Sequence, residues 1–497
     1  MRYLVVLVLG WAVCAAEKPV RVEGGLISGV VGKDPGIRVY RGIPFAGPPV
    51  GPLRWRTPEP PAKWEGVRTA AKFSATCMQV PYPEGSPYRA AAEPVSEDCL
   101  YLNVWTGAKS AEERRPVMVW IHGGALTRGS GSLDAYDGEE FARRGVVLVT
   151  INYRLGLLGY MAHPELTKES EHHVSGNYGM LDQLAALEWV RANIAAFGGD
   201  AGRVTIFGES AGSWSVNTLV ASPKAKGLFA RAIGESGASF APLAVLADAE
   251  KGGERVAAQL GAASLAELRA KPAEEFVKLG ADLARPNVDG WLLPAQVKAI
   301  FAQGKQNDVP VLMGSNADEG TAFTPPSVTP AAFKGMAAMR YGPLAEQFLA
   351  LYSAATEQEA RASAAAAIRD QTFGWEMRTW ARMQTETGKS RAFLYYFSRV
   401  PPTPVGAALG AYHASEIAYV FHHVTSDREV DRKLTDAMTR YWVNFAATGD
   451  PNGKDLLEWP AFSAKEEVAM GLGDQIGVIE IPHKAALDFL DSAMSRR

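Results

Sequence analysis

The stretch Arg203-Val-Thr-Ile-Phe-Gly-Glu-Ser-Ala-Gly-Ser-Trp214 decides the fold. Residues 204–207 form a β-branched and aromatic run, which reads as a buried strand. Gly208-Glu209-Ser210-Ala211-Gly212 fits the pattern G-x-S-x-G, and residues 213–220 contain neither Pro nor Gly and read as a helix. A strand, a sharp turn carrying Ser between two glycines, then a helix is the context of a nucleophile elbow. The Ser of such a turn sits in a strained backbone conformation, and a Cβ at either flanking position would strike the neighbouring strand or helix. The helix N-terminus adds partial positive charge where an oxyanion would form. Gly234-Glu235-Ser236-Gly237-Ala238 is a near-repeat, but its fifth residue is Ala and no clear helix start follows, so Ser236 reads as a structural Ser at a strand end.

Outward from the elbow, the pattern is that of a parallel sheet. Residues 115–121 and 146–151 are unbroken apolar runs, suited to strands covered on both faces. Residues 180–196 repeat apolar positions at helical spacing and end at Phe197-Gly-Gly-Asp200, directly before the elbow strand, which makes a βαβ unit. Residues 99–105, 230–233, 309–314 and 391–397 read as further strands, and 247–279, 330–352 and 358–384 as helical insertions. The first strands, within 20–31 and 37–40, pair around turns at Gly24-Gly25 and Asp34-Pro-Gly36. Residues 42–55 are too rich in Pro and Gly for regular structure, and 78–98 read as an Ω-loop over a cleft. Residues 438–447 form a last helix, stopped by Thr448-Gly-Asp-Pro-Asn-Gly453. No linker, charge block or repeat divides the chain, so one large α/β domain with helical insertions is expected over residues 17–497.

Residues 1–16 read as an export signal: Arg2 is the charged start, residues 3–13 the apolar segment, and Cys14-Ala-Ala16 the small residues for cleavage. The apolar run is too short to span a bilayer, which needs about 20 residues. A secreted or periplasmic location follows, with no membrane span. Beyond Cys14 the cysteines are Cys77 and Cys99, an even pair that in an exported chain reads as one disulfide. The absence of any Asn-x-Ser/Thr site fits a bacterial exported protein. A net charge of -3 implies no nucleic-acid partner and no attraction to an anionic surface. A monomer is favoured.

A Ser hydroxyl is a poor nucleophile and needs a general base, usually His, a carboxylate to orient it, and donors for the oxyanion. His122-Gly-Gly-Ala125 matches an oxyanion loop at the end of a buried strand; the N–H groups of Gly123, Gly124 and Ala211 are the expected donors. His122 precedes the Ser, the wrong order for the base, and reads as structural. Order and loop position favour His413 over His422, His423 and His483, while His163, His172 and His173 precede Ser210. The acid belongs where the strand at 309–314 runs into Ser315-Asn-Ala-Asp-Glu-Gly320; Asp318 and Glu319 are both candidates there, and Asp289 is the outlier. Leu126, Trp214, Phe240, Phe323 and Phe373 form the pool of possible pocket walls, with Leu126 and Trp214 preferred as a substrate pocket. No Cys or His spacing suits a metal, and no cofactor is required.

These motifs together resemble the type-B carboxylesterases, the cholinesterase-like branch of the α/β-hydrolase superfamily, and within it the bacterial para-nitrobenzyl-esterase-like members. The residues that carry the likeness span most of the chain: Arg41-Gly-Ile-Pro44, Glu97-Asp-Cys-Leu-Tyr-Leu-Asn-Val104, His122-Gly-Gly124, Asn152-Tyr-Arg-Leu-Gly156, Phe197-Gly-Gly-Asp200, the elbow, Asn316-Ala-Asp-Glu-Gly320, Tyr412-His413 with Glu416-Ile417, and Thr448-Gly-Asp-Pro-Asn452. The resemblance implies a large, mostly parallel central sheet flanked by helices, with antiparallel strands at the N-terminal side. It assigns Glu319 as the acid beside Ser210 and His413, and it pairs Cys77 with Cys99. It implies a serine ester hydrolase acting through an acyl-enzyme on small or aromatic esters. An acyltransferase or amidase with the same triad, and a non-catalytic binding protein on the same fold, are the alternatives. Residues 78–98 hold no Trp, so the cation–π site of choline-specific members is not expected here.

Overall fold

The structure, a computed structural model, describes residues 18–280 and 285–494. The reading of residues 1–16 as an export signal lies outside the described residues. Among the described residues the main sheet has eleven strands. They are β1 (Val30–Val31), β2 (Arg38–Pro44), β3 (Tyr101–Thr106), β4 (Arg115–Ile121), β5 (Val147–Ile151), β6 (Gly199–Glu209), β7 (Arg231–Glu235), β8 (Val311–Asn316), β9 (Ala392–Phe397), β10 (Val468–Leu472) and β11 (Ile476–Glu480). Their order across the sheet is β11-β10-β9-β8-β7-β6-β4-β5-β3-β2-β1. The centre, from β5 through β10, is parallel, and both edges are antiparallel. Val20–Val22, Gly25–Ser28 and Val67–Thr69 form a separate small sheet.

The continuous apolar runs of the central strands are explained by two buried layers, one on each face. Along β4, Val117, Val119 and Ile121 enter one cluster while Met118 and Trp120 enter the other, as the two-residue period of a strand requires. The first layer is closed by the helices α1 (Tyr178–Asn193), α2 (Ala211–Ala221) and α3 (Trp375–Thr387), through residues such as Leu187, Leu219 and Trp380. The second is closed by α4 (Glu429–Thr448), through Met438, Trp442 and Phe445. α1 is buried on several sides, and Asp182 within it binds Arg154 at 2.7 to 2.9 Å. That pairing explains a carboxylate inside a helix packed on a sheet.

Four differences from the sequence reading have local causes. The strand at 37–40 continues to Pro44, because its Pro lies at the strand end. The helix expected across 358–384 is interrupted by one π turn, Arg369–Gly374, before α3. The last predicted helix, 438–447, is the second half of the longer α4. Beyond it the structure adds β10, β11 and the helix α5 (Lys484–Met494), none of which the sequence reading assigned. α5 buries Leu487, Phe489 and Leu490 in the first layer, and ion pairs add to this: Arg378 and Arg382 of α3 and Lys484 share the carboxylates of Glu467, Asp488 and Asp491.

Candidate active site

β6 delivers Ser210 to the C-terminal edge of the parallel strands, beside the end of β4. Ser210 has φ 56° and ψ −120°, a left-handed turn between strand and α2. The neighbouring glycines are forced by β4. A Cβ on Gly212 would lie 1.9 Å from the Ile121 carbonyl oxygen, and one on Gly208 would lie 2.5 Å from the same atom. The Ser210 N–H donates to Glu235 O at 2.8 Å, and the Trp214 N–H donates to Ser210 O at 2.9 Å, closing the first turn of α2. The elbow is thus clamped from below, from the side and from the helix.

Glu319 lies three residues past the end of β8. Its Oε1 accepts from the Asn316 N–H at 2.8 Å and from Ser236 Oγ at 2.5 Å, and its Oε2 meets His413 Nδ1 at 2.5 Å. Both residues are buried. Asp318 points elsewhere and accepts from the Ala411 N–H at 2.8 Å. Asp289 accepts three backbone N–H groups, from Trp291, Leu292 and Leu293, and caps a turn. The remaining histidines go to other surroundings: His163 caps a short helix, His172 stacks on Trp291, His422 faces Thr439 and His483 faces Tyr396. His413 Nε2 lies 3.0 Å from Glu209 Oε1, off the direction a hydrogen bond needs, and that oxygen has no hydrogen-bond partner. Among the described residues no hydrogen bond joins Ser210 Oγ to the imidazole.

The turn after β4 carries three consecutive residues with positive φ: Gly124 at 104°, Ala125 at 57° and Leu126 at 61°. Gly124 O accepts from the N–H groups of Thr127 and Arg128. A Cβ on Gly123 would lie 2.7 Å from Glu209 O and 3.1 Å from Ser210 Cβ, so this turn rests on the elbow itself. Of the expected oxyanion donors, Gly123 thus lies against the elbow that carries Ala211, and Gly124 follows it in the turn. Ala125 is exposed at the same turn, and as a non-glycine it carries no sign in the sequence of its left-handed backbone. His122 is buried, stacks on Tyr153 at 4.4 Å and meets Gly123 O at 2.8 Å through Nδ1. Burial lowers its pKa to about 4, which keeps it neutral. Leu126 is packed in the main core at 3% exposure, and its carbonyl accepts from the Gly156 N–H. Trp214 is half-buried with its indole against Gly237, close behind Ser210.

Rings and carboxyls surround the imidazole. Phe373 lies at 4.6 Å, Phe323 at 5.0 Å and Tyr88 at 6.3 Å between centroids. Phe373 is placed by the π turn. Behind the base are three further buried carboxyl groups, Glu209, Glu235 and Glu416. Burial, with the charges of Glu319 and Glu235, holds Glu209 well above the ordinary carboxylate range. Burial pushes Glu235 up to about 8 against the opposing hydrogen bond from Trp442 Nε1, and burial with the neighbouring Glu209 and Glu235 raises Glu416 in the same direction. Cys77 and Cys99 are joined as a disulfide, with Cα atoms 5.0 Å apart. Among the described residues no cluster of His, Cys, Asp or Glu is placed to hold a metal ion.

The carboxylesterase family profile matches residues 16–490. The chain belongs to the carboxylesterase family. It is 38% identical over 481 residues to the fumonisin B1 esterase of Sphingopyxis macrogoltabida, covering 92% of this chain and 86% of the relative. It is 34% identical over 472 residues to the para-nitrobenzyl esterase of Bacillus subtilis (strain 168), covering 90% of this chain and 93% of the relative. Among solved structures, a PNB esterase superposes with a TM-score of 0.83 at 33% identity, over 95% of this chain and 99% of the other. The protein is a carboxylesterase with the α/β-hydrolase fold, similar to the para-nitrobenzyl esterases, and its activity is ester hydrolysis. No helix among the described residues is long and apolar enough to cross a membrane.

Proposed function

We propose that this carboxylesterase is exported as a single catalytic unit and cleaves small or aromatic esters through an acyl-enzyme on Ser210. The observation that carries the reading is His413, whose Nδ1 meets a buried Glu319 at 2.5 Å while its Nε2 lies 3.0 Å from Glu209, the residue before the strained Ser210. Ser210 Oγ attacks the ester carbonyl carbon as its proton passes to His413 Nε2. That hydrogen bond is not made in the resting structure; catalytic hydrogen bonds of this kind align only when substrate enters. Glu319 holds the ring and stabilises the imidazolium. The tetrahedral oxyanion accepts from the N–H groups of Gly123, Gly124 and Ala211, with Ala125 as a further donor; each such donor is worth about 3 kcal/mol. Collapse expels the alcohol, which takes the proton from Nε2 and leaves an acyl group on Ser210. Water then loses a proton to Nε2, attacks the acyl carbonyl, and releases the acid with Ser210 restored.

Two features support the preference for aromatic or small groups. The leaving alcohol must stand next to His413, and there the walls are Phe323, Phe373 and Tyr88. Phe323 is 46% exposed, an apolar ring open towards an arriving ligand. The names of the para-nitrobenzyl esterase relatives point the same way. The disulfide and the apolar start of the chain support export.

The test is hydrolysis of p-nitrophenyl acetate by wild type and Ser210→Ala. Loss of at least about 10⁴-fold in kcat with unchanged folding is expected. A variant that keeps wild-type turnover overturns the assignment of Ser210. A panel of alkyl and aryl esters then reads the alcohol preference; highest kcat/KM for long unbranched alkyl alcohols overturns the aromatic reading.

A further inference from the structure

The loop closed by Cys77–Cys99 reaches both halves of the site. On one side it grips the segment that follows the oxyanion turn. Gln79 exchanges two hydrogen bonds with the backbone of Gly129, each 2.8 Å. Arg128 Nε donates to Val80 O at 3.2 Å. The Glu93 carboxylate accepts from Ser130 Oγ at 2.9 Å and Ser132 Oγ at 2.7 Å. On the other side, Tyr88 Oη donates to the backbone carbonyl of His413 at 3.2 Å.

The Tyr88 ring is itself held. It packs on Tyr82 at 5.6 Å, the Tyr82 carbonyl accepts from Arg89 Nη1, and the Arg128 guanidinium lies 5.3 Å over the Tyr82 ring. Burial and the nearby Glu209 and Glu319 raise the Tyr88 hydroxyl far above the ordinary tyrosine range, so it stays a donor at any working pH. His413 needs such an anchor. Its side chain is fixed at one atom by Glu319, and the following residue, Ala414, has φ 69°, a left-handed backbone with no glycine to favour it. Among the described residues Tyr88 provides the hydrogen bond received by the His413 carbonyl.

We propose that Tyr88 is a positioning residue for His413, and that the disulfide-closed loop acts through it to keep the base in register with the oxyanion turn. Tyr88 touches no reacting atom in this role. It restrains the peptide from which the imidazole projects, and the loop makes that restraint common to the base and to the segment behind Gly124.

The experiment uses the full chain. Tyr88→Phe removes the hydroxyl and keeps the ring. Loss of one neutral hydrogen bond that acts on orientation lowers kcat about tenfold. KM stays within about twofold and the thermal midpoint stays within about 2 °C, because binding walls and core are intact. The rate at which an organophosphate labels Ser210 falls by the same factor as kcat, since it depends on the same His413-assisted attack. The downfield imidazole N–H resonance of the His413–Glu319 pair broadens in the variant. When Cys77→Ser and Cys99→Ser are both present, Tyr88→Phe has less than about a twofold further effect, because the loop no longer holds the ring in place.

Wild-type kcat in Tyr88→Phe overturns the proposal, as does a defect seen in Tyr88→Ala but not in Tyr88→Phe, which would make the ring alone the active feature. A loss of kcat matched by a loss of thermal stability overturns it, and so does an equal effect of Tyr88→Phe with and without the disulfide. The proposal rests on the triad reading, and the two failures separate. Activity that survives Ser210→Ala sinks that reading; Ser210-dependent activity untouched by Tyr88→Phe sinks this one alone.

Discussion

Ser236 stands one strand away from Ser210 with nearly the same backbone, φ 58° against 56°. Both follow a buried glutamate at a strand end, and in the sequence the second glycine and the helix after Ser210 separate the two patterns. In space their tasks divide. Ser210 faces the oxyanion turn, and Ser236 Oγ donates to Glu319 Oε1 at 2.5 Å. Ser236→Ala leaves that oxygen with the Asn316 N–H alone. A hydrogen bond to a charged group contributes about 1.5 to 3 kcal/mol, so kcat/KM falls roughly 10- to 100-fold while the protein stays folded. Steady-state kinetics beside a melting curve checks this, and unchanged kinetics removes Ser236 from the site. The sequence could name Ser236 a strand-end residue but not its partner, because the contact spans 83 positions of chain. The choice between Asp318 and Glu319 has the same origin. Both are acids in one turn, and what separates them is that the Asn316 N–H and Ser236 hydroxyl converge on Glu319 while Asp318 is drawn to the Ala411 N–H.

At the scale of elements, the elbow depends on how closely β4 passes beneath it. Gly212→Ala would push a methyl group to 1.9 Å from the Ile121 carbonyl oxygen, against backbone rather than a side chain that could move aside. The strand and α2 must separate, at a cost of about 3 kcal/mol or more, and Ser210 leaves the oxyanion turn. Urea unfolding and p-nitrophenyl acetate hydrolysis should both be impaired in this variant; a stable and active Gly212→Ala would show that the elbow has slack. Central elements such as β4, β6 and α2 were legible because burial on both faces writes continuous apolar runs, and because glycines mark the turns. The C-terminal elements were not. β10 and β11 are five residues each with a glycine in both, and α5, although its apolar residues Leu487, Phe489 and Leu490 recur at helical spacing, is a short terminal helix that the sequence reading did not assign. The π turn at Arg369–Gly374, which brings Phe373 to the base, is marked in the sequence only by weak helix formers such as Gly374, which do not specify a π turn.

For the whole molecule, buried carboxyl groups set how stability varies with pH. Burial pushes both Glu235 and Glu376 up to about 8, from an ordinary 4.5. Each folded group therefore holds a proton that the unfolded chain releases between pH 4.5 and 8. In that window the native state binds more protons than the unfolded state, so stability falls as pH rises. The contribution is complete below 4.5 and lost by the time pH passes 8, on the order of 3 to 5 kcal/mol for each group. Glu467 runs the other way. Its ion pairs and hydrogen bonds with Arg378, Arg382 and Lys484 outweigh its burial and lower it to about 2, so its contribution is present above 4.5 and lost as pH falls towards 2. Between pH 4 and 6.5 the buried His122, lowered to about 4, opposes Glu235 and Glu376, so their destabilising trend stands alone only above pH 6.5. Glu235→Gln isolates one group: the amide oxygen can still accept from Trp442 Nε1, but nothing at that position titrates. Unfolding free energies from urea titrations at pH 6.5 to 8 are expected to fall steeply for wild type. For the variant they fall less, by about 1.4 kcal/mol per pH unit, because one proton has left the balance. Parallel curves for the two proteins would mean that Glu235 is already ionised in the folded state, and that the space behind His413 holds a charge rather than a proton.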